Sequence, residues 1–346
     1  MAESARDVAH GGAPRGWLDF SANLDPFGVS PDVRAAVVAS RYDTYGELDP
    51  RPAERRLASD AGVPRSWVML TAGATEALRL AAQALLEPGQ EALVLGPTYG
   101  EYARLASLQG AEVVEVRPKS ARLVPRVAAF VTQLASGRFR LAFVCDPNNP
   151  TGVRLARSRL RTIVDTPPAP TIIVLDQSFA PFSGETLPVA EIVRSGRVLV
   201  VRSLTKRLAA PGLRVGYVVA APVLLDALRE VRDPWPLSAQ ACAAAATASW
   251  SLPAEGRATL ATWRRRLAVS LRDLGLAPRP SVANFLLVEV GPCAERLVHA
   301  LACRRIAVRW CASFGLPGHV RVAVRPPDDQ DRLVHALRDA RLEVRW

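Results

Sequence analysis

The chain has 346 residues, enough for about two domains. Hydrophobic residues make up 49% and charged residues 22%, which excludes a mainly disordered chain, and 28 Pro and 22 Gly without a period exclude collagen-like and low-complexity architectures. The formal net charge is +11, yet only Lys119 and Lys206 among the 44 basic residues are lysine.

The N-terminal run Met1–Asp7 is polar and lacks the apolar core of a signal peptide, so the expected location is the cytoplasm. Loop residues follow, with His10-Gly11-Gly12 and Asp19-Phe20-Ser21-Ala22-Asn23. Ser30-Pro31-Asp32 is a good helix start, and 52–61 also reads as helical. From residue 67 short apolar runs alternate with helical stretches. Strands are expected at 67–71, 92–95, 112–116, 141–145, 171–175, 198–201 and 215–219, and helices at 74–86, 99–109, 155–164 and 187–194. Near-continuous apolar strands between helices imply an α/β fold, with a mostly parallel sheet covered on both faces. Ligands of such sheets sit at the carboxyl ends of the strands.

After residue 222 the pattern changes to helices over roughly 222–276, with a Pro- and Trp-containing joint at Asp233-Pro234-Trp235-Pro236 near the change. Strands at 284–290, 305–309 and 319–324 and a last helix at 328–340 complete a smaller α+β piece. No run of about 20 apolar residues is present, so no membrane partner is expected. The five cysteines form no Cys-x-x-Cys pair, which argues for free thiols, with neither a disulfide frame nor a metal site. The arginines are scattered and no nucleic-acid-binding signature appears, so the basic balance points to a solvated surface or to anionic small molecules.

Lys206 stands out because arginine replaces lysine almost everywhere else. Arginine keeps its proton and is a poor nucleophile, whereas a lysine can lose its proton and form an imine. Lys206 follows a predicted strand in Ser203-Leu204-Thr205-Lys206, ahead of Pro211-Gly212-Leu213-Arg214-Val215-Gly216-Tyr217. The hydroxyls of Ser203 and Thr205 and the guanidinium of Arg214 suit a phosphate dianion. Asp176 ends another apolar strand, where a carboxylate can pair with a cationic ring nitrogen. Asn149 lies in Asp146-Pro147-Asn148-Asn149-Pro150-Thr151-Gly152 after a third strand, and Thr71-Ala72-Gly73-Ala74-Thr75-Glu76 forms a strand–helix joint of the kind that binds phosphate. Taken singly, the last two are ordinary turns.

Together these residues, in this order, resemble the fold-type I pyridoxal-phosphate (PLP) enzymes of the class I/II aminotransferase superfamily, over nearly the whole chain. The resemblance implies a large PLP-binding domain over 45–225 and a small domain from 1–44 and 226–346. It implies that Lys206 holds PLP covalently and carries the proton, that Asp176 pairs with the pyridine nitrogen, and that Asn149 bonds the ring oxygen. Tyr99 would stack on the ring and join Lys206 and Asp176 as catalytic residues. Gly73, Ala74, Thr75, Ser203, Thr205 and Arg214 would hold the phosphate. Tyr45 matches a tyrosine that reaches the partner subunit's cofactor, which implies a homodimer. Arg321 matches the arginine that binds the substrate carboxylate.

One branch fits further. The His10 loop, Asp19–Asn23, Asp25-Pro26-Phe27-Gly28 and Cys311–Leu316 with Arg321 and Arg325 are similar to the threonine-phosphate decarboxylases of cobalamin synthesis, relatives of histidinol-phosphate aminotransferases. The resemblance implies substrate contacts from Asn23, Arg325 and His10. Two departures stand at Asp176-Gln177-Ser178-Phe179, where most aminotransferases carry Asp-Glu-Ala-Tyr. Phe179 lacks the phenol that would bond the ring oxygen, which leans toward decarboxylation, while Gln177 and Ser178 fit neither branch. The expectation is therefore decarboxylation of a phosphorylated amino acid. The alternative is amino transfer of the histidinol-phosphate type, and a third reading is a non-catalytic nucleic-acid-binding protein.

Overall fold

The computed structural model describes residues 11–41, 43, 50–165, 169–344 and 346. Seven strands form the large sheet: β1 (Val68–Thr71), β2 (Glu91–Leu95), β3 (Glu112–Val116), β4 (Phe139–Cys145), β5 (Ile172–Asp176), β6 (Val198–Arg202) and β7 (Gly216–Val219). Their order is β1-β7-β6-β5-β4-β2-β3. Strand β7 runs antiparallel to both neighbours and the other pairings are parallel, so the sheet is mixed and mostly parallel.

Alternation along the strands separates two cores. Leu93, Val144, Leu175 and Val200 face one side of the sheet, and Val94, Phe143, Val174 and Val201 face the other. Helices cover both sides, which is why these strands carry almost no polar positions. Edge strand β3 is the exception, with Glu112 and Glu115 both exposed.

A second sheet of four antiparallel strands has the order β10-β11-β9-β8: β8 (Ala277–Pro278), β9 (Phe285–Glu289), β10 (Arg309–Trp310) and β11 (His319–Ala323). The run expected as one strand at 305–309 is divided. Ile306–Ala307 pairs in parallel with Leu18–Asp19, and Arg309–Trp310 pairs with β11. The N-terminal segment is tied down further by Phe20 N–H to the Ala307 carbonyl (2.7 Å), Ala323 N–H to the Phe20 carbonyl (2.8 Å) and Asn284 Nδ2 to the Leu24 carbonyl (3.0 Å).

Helix Pro31–Ala39 starts where the sequence signals it, with Ser30 Oγ accepting from Val33 N–H at 3.4 Å. The stretch read as helical over 222–276 is three helices, Pro222–Glu230, Ala239–Thr247 and Ala254–Asp273, interrupted near Pro234, Pro236 and Pro253. Helix Val127–Leu134 had no counterpart in the expected elements. We divide the chain into a large unit around the seven-stranded sheet and a smaller one around the four-stranded sheet. A boundary at 225 misplaces one piece in that division: Ala241, Ala244, Ala245 and Trp250 pack with Val33 and Leu57 in a core of the large sheet. The small side chains of Ala241, Ala244 and Ala245 let helix Ala239–Thr247 lie close to its neighbours.

Candidate active site

Three parallel neighbours, β4, β5 and β6, deliver Asn149, Asp176 and Lys206 to the same carboxyl edge of the sheet. A cavity of about 560 Å³ opens there. Its walls include Lys206, Asp176, Asn149, Tyr99, Ser203 and Thr205, and also Ala74, Thr75, Arg214, Asn23 and Arg321. Eleven of the residues expected from sequence are thus brought together around one space.

Lys206 lies in the short helix Leu204–Arg207 after β6. Burial, aided by the Arg321 and Arg214 charges, pushes its ammonium from 10.5 down to about 8, against the pull of Asp176. An appreciable fraction of the amine is therefore free just above neutral pH. The backbone on either side is anchored to the N-terminal segment: Asp25 N–H donates to the Lys206 carbonyl (2.9 Å), and the Asp25 carboxylate pairs with Arg207 (2.8 Å).

Asp176 is buried, and burial pushes its carboxyl pKa up, opposed by hydrogen bonds from Ser178 and Tyr102 and by the Lys206 charge. Ser178 N–H donates to Oδ1 and the Tyr102 hydroxyl donates to Oδ2, each at 2.8 Å. Tyr102 is fixed in turn by stacking on Phe143 (centroids 5.4 Å, 9°) and by the edge of Tyr99 (5.6 Å, 84°). Tyr99 itself shares a hydrogen bond with Thr75, and burial raises its pKa.

The joint from β1 to helix Ala74–Leu85 meets Arg214 closely. Gly73 has φ +83°, and a Cβ there would stand 2.7 Å from Arg214 Nη2. Gly216 has no room for a side chain either: a Cβ would be 2.8 Å from the Arg202 carbonyl oxygen and from the Gly73 carbonyl carbon. These two glycines let the helix start and the Arg214 guanidinium converge. Ser203 Oγ makes no hydrogen bond among the described residues, and the Thr205 hydroxyl donates to the Val215 carbonyl at 3.1 Å. Gly73 itself shapes this cradle without lining the cavity.

Opposite this cradle, Arg321 is buried over the Phe285 ring (5.4 Å). It donates to Asn149 Oδ1 and to the Ser21 carbonyl (2.8 Å), and with the Asn23 amide turned oxygen-inward to that oxygen at 3.1 and 3.2 Å. Arg309, which sequence reasoning passed over, stands beside it. The two arginines are register partners across β10 and β11 and both line the cavity. Arg309 Nη2 donates to Ser313 Oγ at 2.7 Å, and its guanidinium lies 5.7 Å from the Phe314 ring centroid. The available signal was its place at the end of a predicted strand, opposite an arginine already singled out.

Arg325 is a correction. It does not line the cavity, because its guanidinium pairs with Asp329 at 2.8 Å, reaches the Asp19 carbonyl at 3.3 Å and packs on Phe20. His10 and Tyr45 lie outside the described residues. Tyr102, Cys145, Arg104 and Phe314 also face the cavity, and none was expected to. Among the described residues no cluster of His, Cys, Asp and Glu could hold a metal ion, and no helix is long and apolar enough to cross a membrane.

The two departures after Asp176 have separate surroundings. Phe179 lines the cavity and meets Phe285 edge-on (5.0 Å, 81°), so an apolar ring replaces a hydroxyl there. Gln177 points into a buried cluster: its Oε1 accepts from Arg202 Nε (3.0 Å) and Nη2 (2.9 Å). Arg202 is fully buried, lies 4.8 Å from the Trp250 ring centroid, bonds Tyr217 and is paired with Glu185. A neutral amide at 177 thus leaves the counter-charge to Glu185.

A buried amine of lowered basicity, a hydrogen-bonded carboxylate, an aromatic face and a cradle of Arg214 with the open Ser203 hydroxyl fit PLP. Residues 15–337 match the family described as aminotransferase class I and II. A histidinol-phosphate aminotransferase of Symbiobacterium thermophilum is 34% identical over 316 residues, 90% of this chain and 87% of that protein. The structure of a histidinol-phosphate aminotransferase of Sinorhizobium meliloti with pyridoxal-5'-phosphate has the same fold, with TM-score 0.85, 24% identity and coverage of 93% of this chain and 90% of that one. So has an L-threonine-O-3-phosphate decarboxylase of Porphyromonas gingivalis, with TM-score 0.78, 24% identity and coverage of 92% and 98%. The chain belongs to the class I and II aminotransferase family and is a PLP-dependent enzyme of fold type I.

Proposed function

We infer that the enzyme transfers the amino group of a small phosphorylated amine, of the histidinol-phosphate kind, to a 2-oxo acid. This was the alternative to decarboxylation in the sequence, and the 34% identical relative named for that activity favours it. The observation that carries the substrate class is the buried pair Arg309 and Arg321, in register on one wall of the cavity. Two guanidinium groups together match a dianionic phosphate on one substrate and a carboxylate on the other.

PLP, when bound, supplies an electron sink for the bond broken at the substrate's α-carbon. Asp176 would hold the cofactor's ring nitrogen, Asn149 its ring oxygen, and Arg214, Ser203, Thr205, Thr75 and the Gly73–Ala74 backbone its phosphate. Tyr99 would cover the ring. Lys206 Nζ, losing its proton more readily than an exposed lysine, takes the α-proton and returns it. Arg321 and Arg309 orient the anionic end of the substrate, and Phe314, Phe179 and Phe285 limit water around it. The active unit would be a homodimer, with Tyr45 of each subunit reaching across.

A second reading, decarboxylation of a phosphorylated amino acid such as threonine phosphate, rests on Phe179, whose ring offers no hydrogen bond at the cofactor oxygen. Incubation of the purified holoenzyme with histidinol phosphate and 2-oxoglutarate, and separately with threonine phosphate, tests both. Glutamate formed in the first mixture supports amino transfer. Carbon dioxide released in the second, with no glutamate in the first, supports decarboxylation and overturns it.

A further inference from the structure

A second cavity of about 250 Å³ lies between the loop after β4, the 122–125 loop and strand β9. Its apolar floor includes Leu155 and Leu287, and four arginines line it: Arg122, Arg154, Arg159 and Arg279. Two of them are already engaged. Arg279 pairs with Glu289 (2.5 Å), and Arg154 donates to the Gly184 carbonyl (2.5 Å) with Asp146 within electrostatic reach. Even so, the Nε atoms of both are buried and have no hydrogen-bond partner among the described residues. Being closed to solvent, those two atoms do not open onto the cavity, and the groups free to meet a ligand are those of Arg122 and Arg159. Arg122 and Arg159 are exposed and have no ion-pair partner among the described residues. Helix Arg157–Asp165 begins at the same place with no acidic residue in its first turn, which adds to the positive potential.

The 122–125 loop is held in an unusual conformation. Leu123 has φ +54°, in the left-handed region that a leucine seldom adopts. Its side chain packs on the cluster of Leu287, Cys311, Phe314 and Leu316. Phe314 faces the catalytic cavity, so this small cluster is a wall shared by the two cavities. Strained backbone of this kind is frequent where a loop clamps a ligand.

We propose that this second cavity binds a small organic anion with an apolar body, such as an aryl phosphate or aryl carboxylate. The apolar body rests against Leu155, and the anionic head meets the exposed guanidinium groups of Arg122 and Arg159. The site is separate from the one that holds PLP and substrate.

Calorimetric titration of the holoenzyme with phenyl phosphate, benzoate and inorganic phosphate tests this. At least one aryl anion should bind about tenfold tighter than inorganic phosphate, and the preferred one identifies the head group. The double variant Arg122→Ala/Arg159→Ala should weaken that binding about tenfold with cofactor content and turnover unchanged. Arg309→Ala should leave it intact. The proposal is overturned if neither aryl anion binds, if inorganic phosphate binds as tightly, if the double variant binds normally, or if Arg309→Ala abolishes binding. The last result would place the anion in the catalytic cavity.

Discussion

The Tyr102 hydroxyl donates to Asp176 Oδ2 at 2.8 Å, and stacking on Phe143 fixes the ring that carries it. Asp176 therefore presents a carboxylate whose geometry is set from behind by a buried phenol. A hydrogen bond to a charged group contributes about 1.5–3 kcal/mol. Tyr102→Phe should then weaken cofactor binding by about tenfold or more while leaving the fold intact, as measured by titrating apoenzyme with PLP. Unchanged affinity would show that Ser178 alone suffices.

Arg309 donates to Ser313 Oγ, whereas Arg321 bonds Asn149, which is expected to hold the cofactor. Arg309→Ala should raise KM for a phosphorylated substrate by about 10- to 100-fold, with kcat and cofactor content nearly preserved. Arg321→Ala should raise KM similarly, with the cofactor retained. Steady-state kinetics on both variants check this, and an unaltered KM in Arg309→Ala would remove that residue from substrate binding.

The buried Arg202 depends on Glu185 for its counter-charge because residue 177 is a neutral amide. Glu185→Gln should destabilise the protein by about 2 kcal/mol, less than for a fully buried pair because Glu185 is partly exposed. Adding Gln177→Glu to that variant should recover most of the loss. Urea denaturation of the single and double variants measures both effects.

Burial holds Lys206 near 8 in the fold, while the unfolded chain returns it to 10.5. Between those values the unfolded state binds more protons, so apoenzyme stability should rise with pH from about 8 to 10.5. Below that window both states are protonated and the penalty, about 3 kcal/mol, is present in full. Lys206→Met should flatten the profile. The same variant should lose the covalent link to PLP and nearly all turnover.

Much of this was legible in the sequence because parallel strands buried on both faces are nearly uninterrupted apolar runs, and the polar residues that end them mark the site. Asp176, Asn149 and Lys206 stand at such ends. Arg309 and Tyr102 were not legible, since their roles arise from pairing across β10 and β11 and from a helix packed behind β5. Arg325 misled for the opposite reason: two arginines on one predicted stretch look equivalent until the fold turns Arg321 to the cavity and pairs Arg325 with Asp329.

The wall formed by Ser21, Ala22 and Asn23 precedes the large sheet in the chain, yet the residues that flank it are held by later ones, Phe20 by Ala307 and Ala323 and Leu24 by the Asn284 side chain. During translation that wall waits without these partners until residue 323 has left the ribosome. The large sheet has all seven strands by residue 219, so its folding comes first and the catalytic pocket is closed last.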